Sequence, residues 1–134
     1  MSPENEEIQL IKQKKMAEMM KSNENEWPAE PVTLIDDDFE GFVGKHSKVI
    51  VDCWAPWCGP CRMLSPTIDA LAKDMKGNVA FGKLNTDDNF RTSEKYKISS
   101  IPTLLFFKDG KFVDKVIGAV PRAMVEQQIK KLLG

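Results

Sequence analysis

The sequence VDCWAPWCGPC, residues 51–61, decides the fold and contains two closely spaced cysteines. It overlaps a nearly continuous apolar run, Val49–Ala55, which is typical of a central β-strand buried on both faces. A helical pattern follows from about Cys58 to Lys76. The stretch therefore predicts that Cys58 and Cys61 lie where a buried strand gives way to a helix.

On either side of this stretch, short apolar runs alternate with helical patterns. The other predicted strands are Val32–Ile35, Val79–Leu84, Thr103–Lys108 and Lys111–Val116. Further helices are predicted after residues 36–38, around residues 89–96 and over residues 121–133. Asp109-Gly110 separates the last two strands and is the commonest signal for a tight hairpin. We therefore expect an α/β fold, with a central mixed sheet of four to five strands flanked by helices on both faces.

Residues 1–26 differ in pattern from the rest of the chain. Ser2 and Pro3 are typical of a helix start, and glutamates precede lysines in the order that the helix dipole favours. Residues 22–26, SNENE, are polar and indicate a linker. We expect an N-terminal extension over residues 1–26, a helical segment followed by a polar linker, and one domain over residues 27–134.

The composition argues against several classes of protein. Nineteen basic residues against 20 acidic ones leave a formal net charge of -1, which provides no positive field for binding nucleic acid. No apolar run approaches the roughly 20 residues that a membrane helix needs. The N-terminus lacks the features of a secretory signal, and three cysteines do not form a disulfide framework. We expect a cytoplasmic protein that binds neither nucleic acid nor membranes, and nothing in the sequence demands more than a monomer.

The Cys-Gly-Pro-Cys motif has the spacing of a reactive dithiol. With Cys58 at a helix N-cap, Cys61 lies about one turn later on the same side, close enough for a disulfide. Pro60 is tolerated because N–H groups in the first turn have no intrahelical partner anyway. That turn and the helix dipole lower the pKa of such a cysteine and favour its thiolate. Half of a zinc site and an inert pair are the alternatives, and zinc would need a second pair of ligands.

Residues 51–61 resemble the active-site stretch of the thioredoxin family. Three later segments resemble further landmarks of that family and occur in the same order, namely Lys83–Asn85, Ile101–Thr103 and Gly118–Ala119. The resemblance runs from about Trp27 to Gly134. It implies the thioredoxin fold and the activity of a thiol–disulfide oxidoreductase.

The resemblance also implies roles for individual residues. Cys58 corresponds to the attacking, partly exposed cysteine and Cys61 to the buried resolving one, and together they form the redox disulfide. Pro102 corresponds to a cis-proline that lies against this disulfide. A flat apolar surface for docking substrates is implied for seven residues, namely Trp57, Gly59, Pro60, Ile101, Pro102, Gly118 and Ala119.

Asp52 is a carboxylate within a buried apolar strand, which is unfavourable unless the group is protonated or functional. Burial favours the neutral form and raises the carboxyl pKa, so Asp52 is a candidate proton shuttle near neutral pH. The resemblance implies that Asp52 helps to deprotonate Cys61 and that Lys83 approaches and tunes it. A solvated strand-end aspartate and a surface lysine are the alternatives.

Two further residues, Cys53 and His46, are chemically reactive types that lie outside the predicted site. Cys53 stands where the family often has a bulky apolar residue, and strand alternation turns it away from Asp52. We expect a buried cysteine that acts as a small hydrophobic residue, with a third redox thiol as the alternative. His46 is the only histidine and lies in a polar loop, residues 44–48, so we expect it at the surface.

These observations predict a protein-disulfide reductase, an electron carrier that maintains redox homeostasis. Cys58 attacks a client disulfide to give a mixed disulfide, and Cys61 then releases the reduced client. No nucleotide-binding motif such as GxGxxG occurs, so we expect no bound cofactor and a separate thioredoxin reductase as electron source. We also expect no metal. The alternatives are a disulfide oxidant or isomerase, and a binding module whose redox pair is secondary.

Overall fold

The computed structural model describes residues 27–134, and the helical segment and linker predicted for residues 1–26 lie outside the described residues. The strands are β1 (Val32–Leu34), β2 (Lys48–Trp54), β3 (Ala80–Asn85), β4 (Thr103–Lys108) and β5 (Lys111–Ile117). The helices are α1 (Asp36–Lys45), α2 (Gly59–Asp74), α3 (Phe90–Lys95) and α4 (Arg122–Leu132). Each element predicted for this part of the chain is confirmed, with ends close to those expected.

The strands form one mixed sheet in the order β1-β3-β2-β4-β5. β3 runs parallel to both β1 and β2, whereas β4 runs antiparallel to β2 and β5 runs antiparallel to β4. β2 therefore has a neighbour on each side and lies at the centre. Because β2 is covered on both faces, every residue between its two ends is apolar except Asp52.

Helices cover both faces of the sheet, which confirms the predicted architecture. On one face, Ile50 of β2 packs with Leu64 and Ile68 of α2 and with Ile129 of α4. On the other face, the core forms around Phe39 and Val43 of α1 together with apolar residues of β2, namely Val49, Val51 and Cys53. Because side chains alternate along a strand, Asp52 points to the α2 face and Cys53 to the α1 face.

The hairpin between β4 and β5 forms at the predicted dipeptide. Asp109 and Gly110 have φ angles of +51° and +80°. This left-handed backbone suits the twist of the adjoining strands and is accessible to aspartate and glycine. The local sequence is thus sufficient to explain the turn.

His46 is buried, and its predicted surface position is wrong. The residue is only 7% exposed, and its ring lies 4.5 Å from that of Trp27 and 5.7 Å from that of Phe42, between centroids. Trp27 comes from the chain segment before β1, so the polar character of the loop around His46 did not indicate this packing.

Candidate active site

Cys58 and Cys61 lie at the start of α2, just beyond the carboxyl end of β2. Cys58 occupies the predicted N-cap position, and its Sγ accepts a hydrogen bond from the Cys61 backbone N–H at 3.2 Å. The two Cα atoms are 5.3 Å apart and the side chains form a disulfide. When the disulfide is reduced, the helix dipole and this N–H group both favour a negative charge on the Cys58 sulfur.

Exposure does not distinguish the two cysteines in this disulfide form. Each residue is 4% exposed, whereas the resemblance implies a partly exposed Cys58 and a buried Cys61. Both belong to a small apolar cluster with Ala55, against which Trp54 and Ile101 pack. Exposure therefore gives no order of attack, and the N-cap position of Cys58 is the geometric difference between the two cysteines.

Trp57 precedes Cys58 and is the most prominent exposed side chain of this loop. The residue is 70% exposed, and its indole N–H donates to the Asp87 carboxylate, 3.0 Å from Oδ2 and 3.3 Å from Oδ1. Asp87 lies in the turn after β3, where its own N–H donates to Asn85 Oδ1 at 3.0 Å. Asp87 was not among the residues predicted from the sequence, because only the sheet order brings the end of β3 beside the end of β2.

The segment before β4 reaches the disulfide from the other side. The Ile101–Pro102 peptide bond is cis, as the resemblance implies. Ile101 packs against the cysteine cluster, and the Pro102 carbonyl accepts a hydrogen bond from the Gly118 N–H at 2.9 Å. Gly118 has a φ of +102°, which favours glycine. Three of the predicted surface residues are thus linked to one another near the redox pair.

The other predicted surface residues differ in exposure. Gly59, Pro60 and Ala119 are exposed, whereas Pro102 is buried. The buried proline therefore supports the surface from beneath and offers little area of its own to a partner.

Asp52 lies beneath this surface, on the face of β2 that α2 covers. The residue is 2% exposed, and its Oδ1 has no hydrogen-bond partner among the described residues. Burial raises the pKa of the Asp52 carboxyl to about 7, while the positive charge of Lys83 acts to lower the pKa and the negative charge of Asp69 to raise it. The alternative of a solvated aspartate at the end of a strand is therefore wrong, because Asp52 is buried.

Lys83 is the neighbour of Asp52 in the register between β2 and β3. Its ammonium group donates to Ser65 Oγ at 2.9 Å and forms an ion pair with Asp69 at 3.3 Å. The Lys83 side chain is 23% exposed, so it is neither a free surface lysine nor fully buried. The positive charge of Lys83 acts on Asp52 through space. Ser65 and Asp69 of α2 hold the Lys83 ammonium in place.

Ser65 and Asp69 were not among the residues predicted from the sequence, although their spacing provides a signal for them. Cys61, Ser65 and Asp69 are spaced four residues apart on a helix, which places them on one face. If Cys61 lies on the face of α2 that meets β2 and β3, Ser65 and Asp69 are expected on that same face. That they meet the Lys83 ammonium depends on the sheet register and could not be predicted.

A cavity of about 190 Å³ connects these groups. Its lining includes Asp52 and Lys83 from the sheet, and Cys61, Arg62 and Ser65 from α2. The buried carboxyl, the second cysteine and the lysine therefore line one partly open cavity. Acid–base exchange between Cys61 and Asp52 requires a shared space of this kind.

Cys53 is separate from this site. The residue is 0% exposed and belongs to the core on the α1 face, so the expectation of a buried cysteine is confirmed. Burial raises the pKa of its thiol further above the ordinary range. A protonated, inaccessible thiol is a poor nucleophile at neutral pH.

Residues 27–134 contain neither a candidate metal centre nor a candidate membrane-spanning helix. In that part of the chain, no group of three or more histidine, cysteine, aspartate or glutamate residues is placed to hold a metal ion. None of the helices described there is long and apolar enough to cross a membrane.

Comparison with known proteins identifies the family. The family model described as Thioredoxin matches residues 30–131. Thioredoxin M-type, chloroplastic, of Pisum sativum is 53% identical over 94 residues, which cover 70% of this chain and 55% of the pea protein. Thioredoxin of Porphyra purpurea is 52% identical over 91 residues, which cover 68% of this chain and 85% of the algal protein. The chain thus spans about half of the pea protein and most of the algal one.

A solved structure supports the same assignment. A mutant thioredoxin from Halobacterium salinarum NRC-1 superimposes with a TM-score of 0.75 at 28% sequence identity, covering 81% of this chain and 95% of the archaeal one. The similarity therefore covers most of this chain and nearly all of the archaeal one. With its redox pair at Cys58 and Cys61, this chain belongs to the thioredoxin family of thiol–disulfide oxidoreductases.

Proposed function

We propose that the chain reduces disulfides in client proteins by two successive thiol–disulfide exchanges through Cys58 and Cys61. The observation that carries this proposal is the position of Cys58 at the N-cap of α2, within disulfide distance of Cys61. A sulfur in that position is stabilised as the thiolate, which is the attacking species in such exchanges.

The first exchange joins the chain to its client. The Cys58 thiolate attacks one sulfur of the client disulfide, a new S–S bond forms, and the second client sulfur leaves as a thiolate. In the second exchange Cys61 loses its proton and attacks Cys58 Sγ. The Cys58–Cys61 disulfide forms, the first client sulfur leaves, and two electrons have passed from the chain to the client.

Asp52 is the proposed acceptor of the Cys61 proton. Its pKa of about 7 allows it to take up and release a proton near neutral pH, and it lines the same cavity as Cys61. Lys83 tunes this acceptor, since its positive charge lowers the Asp52 pKa against the effect of burial.

The client docks on the apolar surface around the disulfide. The proposed substrate-binding residues are Trp57, Gly59, Pro60, Ile101, Pro102, Gly118 and Ala119. Trp57 provides a large exposed area whose orientation is held by Asp87. An extended client segment would pair with the backbone at Ile101, in the manner of an added strand.

After each cycle the chain is oxidised and needs an electron donor. We assign this role to a separate thioredoxin reductase, with no cofactor bound to the chain itself. The proposed setting is the cytoplasm, where thiols are kept reduced and where a monomeric carrier maintains redox homeostasis.

Trapping of the mixed disulfide tests the order of attack. Cys61→Ser removes the resolving thiol, so we expect the reduced variant to remain covalently bound to a disulfide-containing test protein on non-reducing gels. Cys58→Ser is the matched control and should form no adduct, because its remaining Cys61 lacks the N-cap position. Adducts formed by the control and not by Cys61→Ser would reverse the assignment.

The reduction potential of the pair distinguishes a reductase from an oxidant or isomerase. We expect a value of about -270 mV when the chain is equilibrated with defined dithiol buffers and its thiols are counted. A value between about -180 and -120 mV would indicate an oxidant or isomerase instead.

A further inference from the structure

The Lys83 ammonium lies on the boundary between two openings. Lys83 lines the inner cavity together with Asp52 and Ser65, and it also lines an outer groove of about 670 Å³ together with Asp69. Ser65 Oγ is its partner on the inner side, at 2.9 Å. Asp69, which is 56% exposed, is its partner on the outer side, at 3.3 Å.

We propose that Ser65 is a positioning residue, whose hydroxyl holds the Lys83 ammonium on the inner side and close to Asp52. The proposal rests on the proposed role of Asp52 as the proton acceptor for Cys61. Without Ser65, the remaining partner of the ammonium among residues 27–134 is Asp69, and the side chain would turn towards the outer groove.

The position of this charge matters because, within residues 27–134, few other charges face Asp52. On α2, Arg62 lines the same cavity, but its guanidinium donates to the Pro56 carbonyl at 2.9 Å. From β4, the register neighbour of Asp52 is the apolar residue Leu104. Electrostatic energy between two charges falls with their distance and is large where water is excluded. A movement of the Lys83 ammonium towards Asp69 therefore weakens its effect on Asp52.

The effects of the nearby charges on Asp52 agree with this geometry. Lys83 lowers the pKa of the Asp52 carboxyl, and Asp69 raises it. Ser65 and Asp69 hold the same ammonium from two sides, so removing Ser65 should raise the Asp52 pKa, whereas removing the Asp69 carboxylate should lower it, in part directly through the lost negative charge. Dependence of the Ser65 effect on the presence of Lys83 separates a positioning role from a general structural one.

The first experiment compares Ser65→Ala with the full chain in its disulfide form. We expect the Asp52 pKa, followed by carboxyl ¹³C NMR as a function of pH, to rise by roughly 0.3 to 0.7 as the ammonium moves away. Alanine has the higher helix propensity, so the variant should fold. Ser65→Thr keeps the hydroxyl and should restore the original pKa.

Asp69→Asn is the matched control, for which the expected change in the Asp52 pKa has the opposite sign. It removes the outer partner and a negative charge, so we expect the Asp52 pKa to fall. Lys83→Met provides the second control, because without the ammonium Ser65→Ala should change the Asp52 pKa no further. An unchanged or lowered pKa in Ser65→Ala, or the same rise with and without Lys83, would overturn the proposal.

A kinetic measurement separates this inference from the proposed function. The rate at which Cys61 releases a bound client is followed against pH for the chain and for Ser65→Ala. If Asp52 accepts the proton, the pH midpoint of that rate rises with the Asp52 pKa. A shifted pKa with an unshifted rate profile would support the positioning role of Ser65 but contradict the role assigned to Asp52.

Discussion

At Asp52, burial within the core opposes ionisation of a single carboxyl group. Its pKa in the folded chain is about 7, against about 3.9 for an aspartate in an unfolded chain. Between these two values the folded protein binds a proton that the unfolded chain has lost. The free energy of unfolding therefore decreases as the pH rises from about 4 to about 7.

This linkage predicts that Asp52→Asn stabilises the protein at neutral and alkaline pH. A pKa difference of about 3 corresponds to an upper limit of about 4 kcal/mol, so we expect an increase of about 2 to 4 kcal/mol at pH 8. The difference should be small at about pH 4, where the unfolded carboxyl is half protonated, and should vanish by about pH 3, where both states carry the proton. Urea unfolding of the oxidised chain at several pH values measures it.

The control for this prediction removes a carboxylate from an exposed position. Asp114→Asn on β5 should leave the pH dependence of stability unchanged. If Asp52→Asn also left it unchanged, the Asp52 carboxyl would not be protonated in the folded protein near neutral pH.

At the level of elements, the close approach of β1 and α1 to β3 depends on Gly82. A Cβ atom added there would lie 2.6 Å from Leu34 Cδ1 and 3.2 Å from Phe42 Cε1. Both neighbours are side chains, so some adjustment is available, but Leu34 is itself buried in the core. The sequence contains a glycine in the middle of a strand because the neighbouring elements occupy the space of a side chain.

Two glycine-to-alanine substitutions should therefore have opposite effects. We expect Gly82→Ala to lower the free energy of unfolding by about 1 to 3 kcal/mol through overpacking. Gly41→Ala lies on the exposed side of α1 with nothing within 4 Å, and should raise the free energy by about 0.5 to 1 kcal/mol. Thermal unfolding of both variants measures the difference, and a stabilised Gly82→Ala would contradict the packing described for β3.

At the level of the whole molecule, residues 27–134 supply the five strands of the sheet and the two cores described above. We propose that residues 27–134 form one domain that folds without the N-terminal extension. Deleting residues 1–26 should then change the free energy of unfolding by less than about 0.5 kcal/mol and leave disulfide reduction unchanged. Urea unfolding and a reduction assay test both expectations.

Trp27 marks the boundary of this domain and provides the matched control. Its ring contacts His46, so Trp27→Ala in the full chain should destabilise the protein by about 1 to 3 kcal/mol. A large loss of stability on deletion of residues 1–26 alone would show that the extension belongs to the folded unit.

The sequence by itself was sufficient for features whose cause is local. The apolar run of β2, the Asp109-Gly110 turn and the N-cap position of Cys58 each follow from preferences of neighbouring residues. The burial of Asp52 and Cys53 on opposite faces follows from strand alternation. The family resemblance added the cis bond before Pro102, which no local pattern requires.

Only the tertiary structure decided which distant residues meet. The contacts of Trp57 with Asp87, of Lys83 with Ser65, and of Trp27 with His46 each join separate segments of the chain. Their geometry depends on sheet order, on register and on the packing of α2 over the sheet, which are set by the sum of many contacts across the core. Local preferences are short-ranged and do not contain this information, so the partners that tune the active site became visible only in the fold.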